Sequence, residues 1–389
     1  MTALLQRLLG RLPLGWMQLT HNPGRLAAAL AGVAFAQVLV FVQLGIMGSM
    51  NSSIIKSYDL FNADIMISAQ DANTLTEGGN VARQWMFQAL ADPGVARGTG
   101  LFLSNARWER EGDQTTFQVY ALQPEHLDFL SGDISRNARA IALPNVAIID
   151  QQTRGLDPDL MAGIRPQSPL VTEVNGQQLA FANTFQGGVS FSADGYMVTS
   201  EQTFLRLFPA RTSGAPNHIL LKVAAGHQAD AVVARLRAEL PETLQIRTVA
   251  DAASEDLRFQ TTERPTGLIF GFGVVMGIIV GIVIVYQVLS SDVADHLREY
   301  ATLKAVGYGP EYFLGVVFEE AVILAVLGFI PGLLISLGLY ALLVALTGLP
   351  VAMTPALAIA VLLGSLAACT VSGAIATRKL NAAEPADLF

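Results

Sequence analysis

The side chains that could do covalent or metal chemistry are few and poorly spaced for it. Five histidines, His21, His126, His218, His227 and His296, show no H-E-x-x-H or other ligand spacing and read as surface or hydrogen-bonded residues. None of the four lysines, Lys56, Lys222, Lys304 and Lys379, follows a G-x-x-x-x-G-K-[ST] loop, so nothing in the chain is built to cradle ATP. No serine sits in G-x-S-x-G, and "GFGVVMG" at 271–277 is not the dinucleotide fingerprint. Cys369 is the only cysteine, which excludes an internal disulfide and a cysteine metal cluster and leaves it as a small packing residue. What remains is charge in an unexpected place. The stretch "REYATLKAVGYGPEYF", Arg298 to Phe313, sets Arg298, Glu299, Lys304 and Glu311 between two strongly apolar runs. Those residue types can dock a partner through ion pairs.

The spacing within that stretch predicts a short helix, a stop and a second start. Asp295 and Arg298 are three apart on one face, and Leu297, Ala301 and Ala305 form a stripe at spacing four. Gly307 suits a left-handed stop, and Gly309, Pro310 and Glu311 suit the cap and first turn of the next helix. A solvated connection between two membrane helices is the plainer alternative. A floppy connector, however, has no need of such specific stop and start residues.

The elements that must hold this stretch are membrane helices. The chain has 389 residues, 52% hydrophobic and 14% charged, with a mean hydropathy of +0.44, which is too apolar for an ordinary soluble protein. Its net charge of -8, with no basic stripe, argues against nucleic acid as a partner. A hydrocarbon core about 30 Å thick takes roughly 20 helical residues to cross. A charge at the centre of such a helix costs about 2.5–3.5 kcal/mol on the insertion scale. Four runs free of Asp, Glu, Lys and Arg meet this demand: 26–47, 267–289, 321–346 and 355–376. Within the second, Gly273, Gly277 and Gly281 recur every four residues, a small-residue pattern for close helix packing or a dimer seam, within or between protomers.

Residues 48–266 hold 17 of the 24 basic and 24 of the 32 acidic residues, and so form a water-facing domain large enough for its own core. Arg7, Arg11 and Arg25 before the first run, with no acid among them, favour a cytoplasmic N-terminus. Alternation then puts residues 290–320 and the tail at 377–389 in the cytoplasm and the large domain outside. The run at 26–47 reads as an uncleaved span, being too long for a signal peptide core. Ahead of it "LLQRLLGRLPLGWMQL" reads as an amphipathic helix, within 1–25, lying on the inner surface. In the large domain, "ADIMISA", "NVARQWMFQALADPG" and "VARGTGLFLSNARWE" give strand, helix, strand, and "HILLKVA", "QADAVVARLRAEL" and "TLQIRTV" repeat that order. Between them "VTEVNGQQLAF" marks a hairpin turning at Asn175 and Gly176. The fold class expected is an α+β integral membrane protein: four transmembrane helices and a periplasmic α/β domain of two βαβ halves with a mostly β insertion at about 111–217.

The stretch "REYATLKAVGYGPEYF" followed by "VVFEEAVILAVLGFIPGLLISLGLY" resembles the permease signature of the FtsX/MacB superfamily of ABC transporters, with its R-E-x-A-x-L-K-A-x-G motif. The N-terminal "LGWMQLTHNPGRLAAALAGVAFAQVLVFVQLG" is similar to the DevC branch of that superfamily. The resemblance implies a multi-pass permease of the bacterial inner membrane, with both termini cytoplasmic, that is not itself an enzyme. It also implies a second permease copy in a homodimer, two copies of a separate ABC ATPase that binds ATP and Mg, a periplasmic adaptor and a TolC-like outer-membrane duct. No cofactor is implied for this chain. Arg298, Glu299, Tyr300, Ala301, Leu303, Lys304, Ala305 and Gly307 fall on the family's ATPase-coupling segment. Of Glu319 and Glu320, one falls on a family glutamate, unless both are simply acids at a solvated helix start. The function implied is export of a glycolipid, lipid or drug-like substrate by mechanotransmission. Activation of a periplasmic cell-wall hydrolase and lipoprotein release are the alternatives within the superfamily.

Overall fold

The computed structural model describes residues 14–110, 112–188, 191–296, 299, 302 and 306–382. The chain divides into two compact units, one of residues 1–48, 268–346 and 351–389, and one of residues 49–267 and 347–350. A short helix α1 (Leu14–His21) precedes α2 (Pro23–Asp59), Pro23 opening α2 where its missing N–H costs nothing. At 37 residues, α2 is about 55 Å long, well beyond a bilayer core. The apolar run at 26–47 is thus only part of a longer rod. Its last turns, with Met50, Ile54 and Tyr58, belong to the core of the second unit.

That second unit is built on nine strands. In chain order come β1 (Ile65–Ala69), α3 (Gln84–Ala89), β2 (Val95–Arg110), β3 (Asp113–Leu122), α4 (Gly132–Asn137), β4 (Val146–Asp150), α5 (Pro158–Gly163), β5 (Leu170–Val174), β6 (Gln177–Phe185), β7 (Gly195–Ser200), α6 (Glu201–Leu207), β8 (His218–Val223), α7 (Ala229–Glu239), β9 (Leu244–Thr248) and α8 (Val249–Arg258). The two strand-helix-strand units expected from the sequence interleave rather than sit side by side. The order is β2-β8-β1-β9, with β8 antiparallel to both β1 and β2, and β9 antiparallel to β1, the arrangement of a split βαβ fold. Period-two alternation divides β1 between two cores. Ile65 and Ile67 face Met86 of α3 and Val232 and Leu236 of α7, while Met66 joins Tyr58, Leu101 and Leu220 on the other face.

β2 is shared between two arrangements. Val95–Leu101 pairs with β8, and Phe102–Arg110 pairs with β3. Through the order β3-β7-β4-β6-β5-β2, with β2 paired again to β3, six strands close into a ring. Trp108, Phe117 and Phe181 fill it, their ring centroids 5.3–5.8 Å apart. The expected insertion at about 111–217 therefore does not stand alone. It shares a strand with the split βαβ part because β2 runs 16 residues with no proline to stop it. Asn175 and Gly176, with φ of 49° and 74°, make the two-residue turn between β5 and β6.

The remaining long helices among the described residues are α9 (Pro265–Asp295), α10 (Pro310–Thr347) and α11 (Pro355–Ala382). With α2 they make, among the described residues, four helices long and apolar enough to cross a membrane, and the chain is a multi-pass α+β membrane protein. Ile269, Phe272, Leu334 and Leu363 are exposed along them, as lipid-facing side chains are. The connection Thr347–Pro350 packs with the second unit, where Arg154 Nη1 donates to Thr347 O at 3.5 Å.

Candidate functional site

Five charged residues of the membrane unit, Arg25, Asp292, Asp295, Glu319 and Glu320, form one cluster. Arg25, near the start of α2, faces two carboxylates at the end of α9: its Nη1 bonds Asp295 and lies 3.9 Å from Asp292 Oδ1. Glu319 and Glu320 sit inside α10 rather than at its start, since α10 begins at Pro310. Both are buried, and Glu320 has no exposed surface at all. Trp16 of α1 donates its backbone N–H to Glu319 Oε1 at 3.3 Å. A Cβ on Gly15 would lie 2.8 Å from Glu320 Cγ and 3.0 Å from Val316 O, so only glycine lets α1 lie this close to α10. Arg25 and the four carboxylates thus tie together α1, α2, α9 and α10. The reading of Glu319 and Glu320 as acids at a solvated helix start does not hold, because the helix begins too early and both side chains are covered. Arg25 and Asp292 were not singled out from sequence as site residues. Their one signal there is that each lies at the end of an apolar run.

The turn expected to couple to a partner follows directly. Asp295, expected beside Arg298, is paired with Arg25. Arg298, Tyr300, Ala301, Leu303, Lys304 and Ala305 lie outside the described residues. Glu299 Oε2 is 3.1 Å from His296 Nδ1 and otherwise faces solvent. Val306 N–H donates to Thr302 O at 3.1 Å, and Gly307 then takes φ +105°, a left-handed stop open only to glycine at low cost. Tyr312 N–H returns to Gly309 O at 3.1 Å as α10 begins. Val306 and Tyr308 are exposed at the tip, and Tyr308 packs against Tyr312 at a tilt of 44°, with centroids 4.6 Å apart. The turn offers an apolar tip beside the ion-paired cluster.

The glycine pattern lies on the contact between α9 and α2 of the same chain. A Cβ at Gly273 would meet Gln43 at 2.5 Å, at Gly277 Val40 at 2.8 Å, and at Gly281 Ala36 at 3.3 Å. From α10, Gly328 and Gly332 approach Val33 and Gln37 in the same way, at 2.7 Å each. Small residues let helix backbones approach where lipid gives no hydrophobic drive. Polar cross-links add to this: Gln37 Nε2 donates to Ser365 Oγ at 2.7 Å, and Ser372 Oγ to Ile282 O at 3.0 Å. Among the described residues no three His, Cys, Asp or Glu are grouped to hold a metal ion.

The comparisons with known proteins bear on this unit most directly. Residues 271–385 match the FtsX-like permease C-terminal family. That span contains the glycine pattern, the end of α9, the turn and both glutamates. No curated protein matches the chain. Among solved structures the chain is similar to the periplasmic region of MacB from Actinobacillus actinomycetemcomitans, at 11% identity and a TM-score of 0.34, covering 50% of this chain and 93% of that one. It is similar to the extracellular domain of the noncanonic ABC-type transporter YknZ from Gram-positive bacteria, at 9% identity and a TM-score of 0.32, covering 48% and 98%. A domain of a putative permease from Porphyromonas gingivalis gives 14% identity and a TM-score of 0.28, covering 49% and 90%.

Proposed function

We propose that the chain is the permease subunit of an ABC exporter, moved by a separate ATPase and doing no covalent chemistry of its own. The observation that carries this reading is the FtsX-like permease match over 271–385, which spans the turn and its ion-paired cluster. The ATPase binds the turn at 298–308 through Glu299, Lys304 and the exposed Val306 and Tyr308. Its ATP-driven closure displaces the turn, and Arg25 passes that displacement from α9 to α2. The bacterial inner membrane holds the four helices, with both termini and the turn in the cytoplasm and the large domain in the periplasm. Packing of the Thr347–Pro350 connection with the large domain supports one side for both. A homodimer, two ATPase copies, a periplasmic adaptor and a TolC-like duct complete a tripartite pump of the DevC kind, whose cargo is an amphiphile.

Reconstitution of the chain with a partner ABC ATPase provides the test. Glu299→Ala with Lys304→Ala is expected to weaken ATPase binding at least tenfold and to abolish transport in proportion. Wild-type binding and transport in that double variant would remove the coupling assignment. Co-purification of an adaptor and a duct is expected; a bound cell-wall hydrolase in their place would turn the same machine into a signal transducer.

A further inference from the structure

The membrane unit holds a cavity of about 160 Å³ that the coupling reading does not use. Its walls come from three helices: residues between Val33 and Leu44 on α2, between Val274 and Val285 on α9, and between Ala360 and Cys369 on α11. All three stretches fall inside the charge-free runs. At 1.5 Å of rise per residue they extend about 16, 16 and 14 Å, so the space is a slot along the helices that covers about half of a 30 Å hydrocarbon core.

The slot exists because the residues facing it are short. Gly277 and Gly281 stand on α9, and Ala360, Gly364 and Ala368, at spacing four, stand on α11. A Cβ on Gly364 would meet nothing within 4 Å. Val33, Ala36, Val361 and Cys369 are buried and form the floor, whereas Ile278, Ala360 and Gly364 are exposed. The mouth therefore lies between α9 and α11 and faces lipid. The polar atoms of the lining are turned elsewhere. Gln37 Nε2 donates to Ser365 Oγ at 2.7 Å. Gln37 Oε1, without a partner among the described residues, points to α10, 2.7 Å from where a Cβ on Gly332 would lie.

Water gains too few hydrogen bonds in such a lining to enter it, and an empty space forfeits dispersion contacts along every wall. What fills the slot must be apolar, narrow and available from the bilayer. A helix of a second copy, about 10 Å across, is too thick for a volume of about 160 Å³ drawn out along the slot. An acyl chain is a single file of methylenes and runs across the bilayer as the slot does. We infer that the slot between α2, α9 and α11 is a binding site for one acyl chain of a bilayer phospholipid, which enters between α9 and α11 and lies against Val33, Val361 and Cys369. The inference stands apart from the transport reading, because binding is measured on the chain alone without ATPase or nucleotide.

Photolabelling of the full chain in phosphatidylglycerol nanodiscs tests it. The probe is a trace of phosphatidylglycerol with a diazirine at a series of depths along one acyl chain, and the readout is mass spectrometry of the labelled peptides. Lipid around the outside of the protein reaches exposed side chains such as Leu334, so Val361 and Cys369, 5% and 1% exposed, report on the slot alone. Labelling of Val361 and Cys369 at least as strong as that of Leu334 is expected. Gly364→Leu places a side chain in the slot and should lower the labelling of both floor residues at least tenfold while leaving Leu334 unchanged. Ala360→Leu makes the same test at the other end of the mouth, with the wild-type unfolding temperature showing which variants are folded. Label confined to exposed residues, or floor labelling that no folded variant lowers, would overturn the assignment.

Discussion

His218 and Asp150 give the second unit two opposing responses to acid. His218, at the start of β8, is 2% exposed, with Nε2 donating to Leu75 O and Nδ1 accepting from Ser68 Oγ, each at 2.8 Å. Protonation would bury an imidazolium and force Ser68 to turn its proton away. Burial first, and Arg247 after it, push this imidazole down from 6.5 to about 4. The unfolded chain then binds a proton below pH 6.5 that the folded chain refuses until about 4, so stability falls as pH drops through that window. At 1.36 kcal/mol per unit, the whole window is worth about 3 kcal/mol. Asp150 works the other way. Burial is the main cause of its rise from 3.8 to about 6, although Gln152 N–H and Gly187 N–H, at 3.1 Å each, pull it down. Here the folded chain takes up the proton first, so stability rises as pH drops from 6 to 4, again by about 3 kcal/mol. Urea unfolding of the full chain in detergent, followed through Trp85 and Trp108, measures both as differences from wild type. Between pH 7 and 4.5 the stability of His218→Gln should gain about 2–3 kcal/mol on wild type, and that of Asp150→Asn should lose about 2 kcal/mol on it. Other titrating groups cancel in each difference. If both differences stay flat across that range, the burial argument for the two side chains is wrong.

Gly277→Leu should destabilise the membrane unit by about 1–3 kcal/mol through collision with Val40, whereas Gly271→Leu, whose Cβ meets nothing within 4 Å, should leave its unfolding temperature unchanged. Arg25→Ala leaves Asp292 and Asp295 without their guanidinium and should cost about 3 kcal/mol, measured as detergent-solubilised unfolding, with Arg25→Lys restoring part of it. Trp108→Ala empties the strand ring between Phe117 and Phe181 and should cost about 3–5 kcal/mol, read from urea unfolding through Trp85.

Features set by neighbouring residues were legible in the sequence. A run without charge can be recognised as a membrane helix because one central charge outweighs many apolar gains. Asn175 and Gly176 are read as a turn, and Gly307 as a stop, because their backbone angles are cheap for those residues alone. What the sequence hid depends on distance along the chain. Arg25 meets Asp295 across 270 positions, and no local spacing distinguishes that partner from Arg298, three residues away. The same holds for β2, whose two halves alternate in the same way although one pairs with β8 and the other with β3. Glu319 and Glu320 could be read either as solvated acids or as a family glutamate because the apolar run starts after them, but α10 starts well before it.

These contacts converge on α2. Its N-terminal end carries Arg25, held by the carboxylates of α9; its middle receives Gly273, Gly277 and Gly281 from one neighbour and Gly328 and Gly332 from another; its last turn carries Tyr58, which donates to Asp256. Glycine contacts fix how closely helices approach but place few interlocking side chains across the interface, so they resist axial sliding less than meshed leucines do. Ion pairs and hydrogen bonds hold its two ends, while Gln37, bonded to Ser365 Oγ, and Phe41 O, which accepts from Tyr340, add polar contacts to the middle. A helix held at its ends and packed along glycine seams is suited to carry a push along its axis. If the turn couples to an ATPase as proposed, replacing smooth contacts with bulky ones along α9 should therefore impair transport more than it impairs ATPase binding, because such a change leaves the turn untouched.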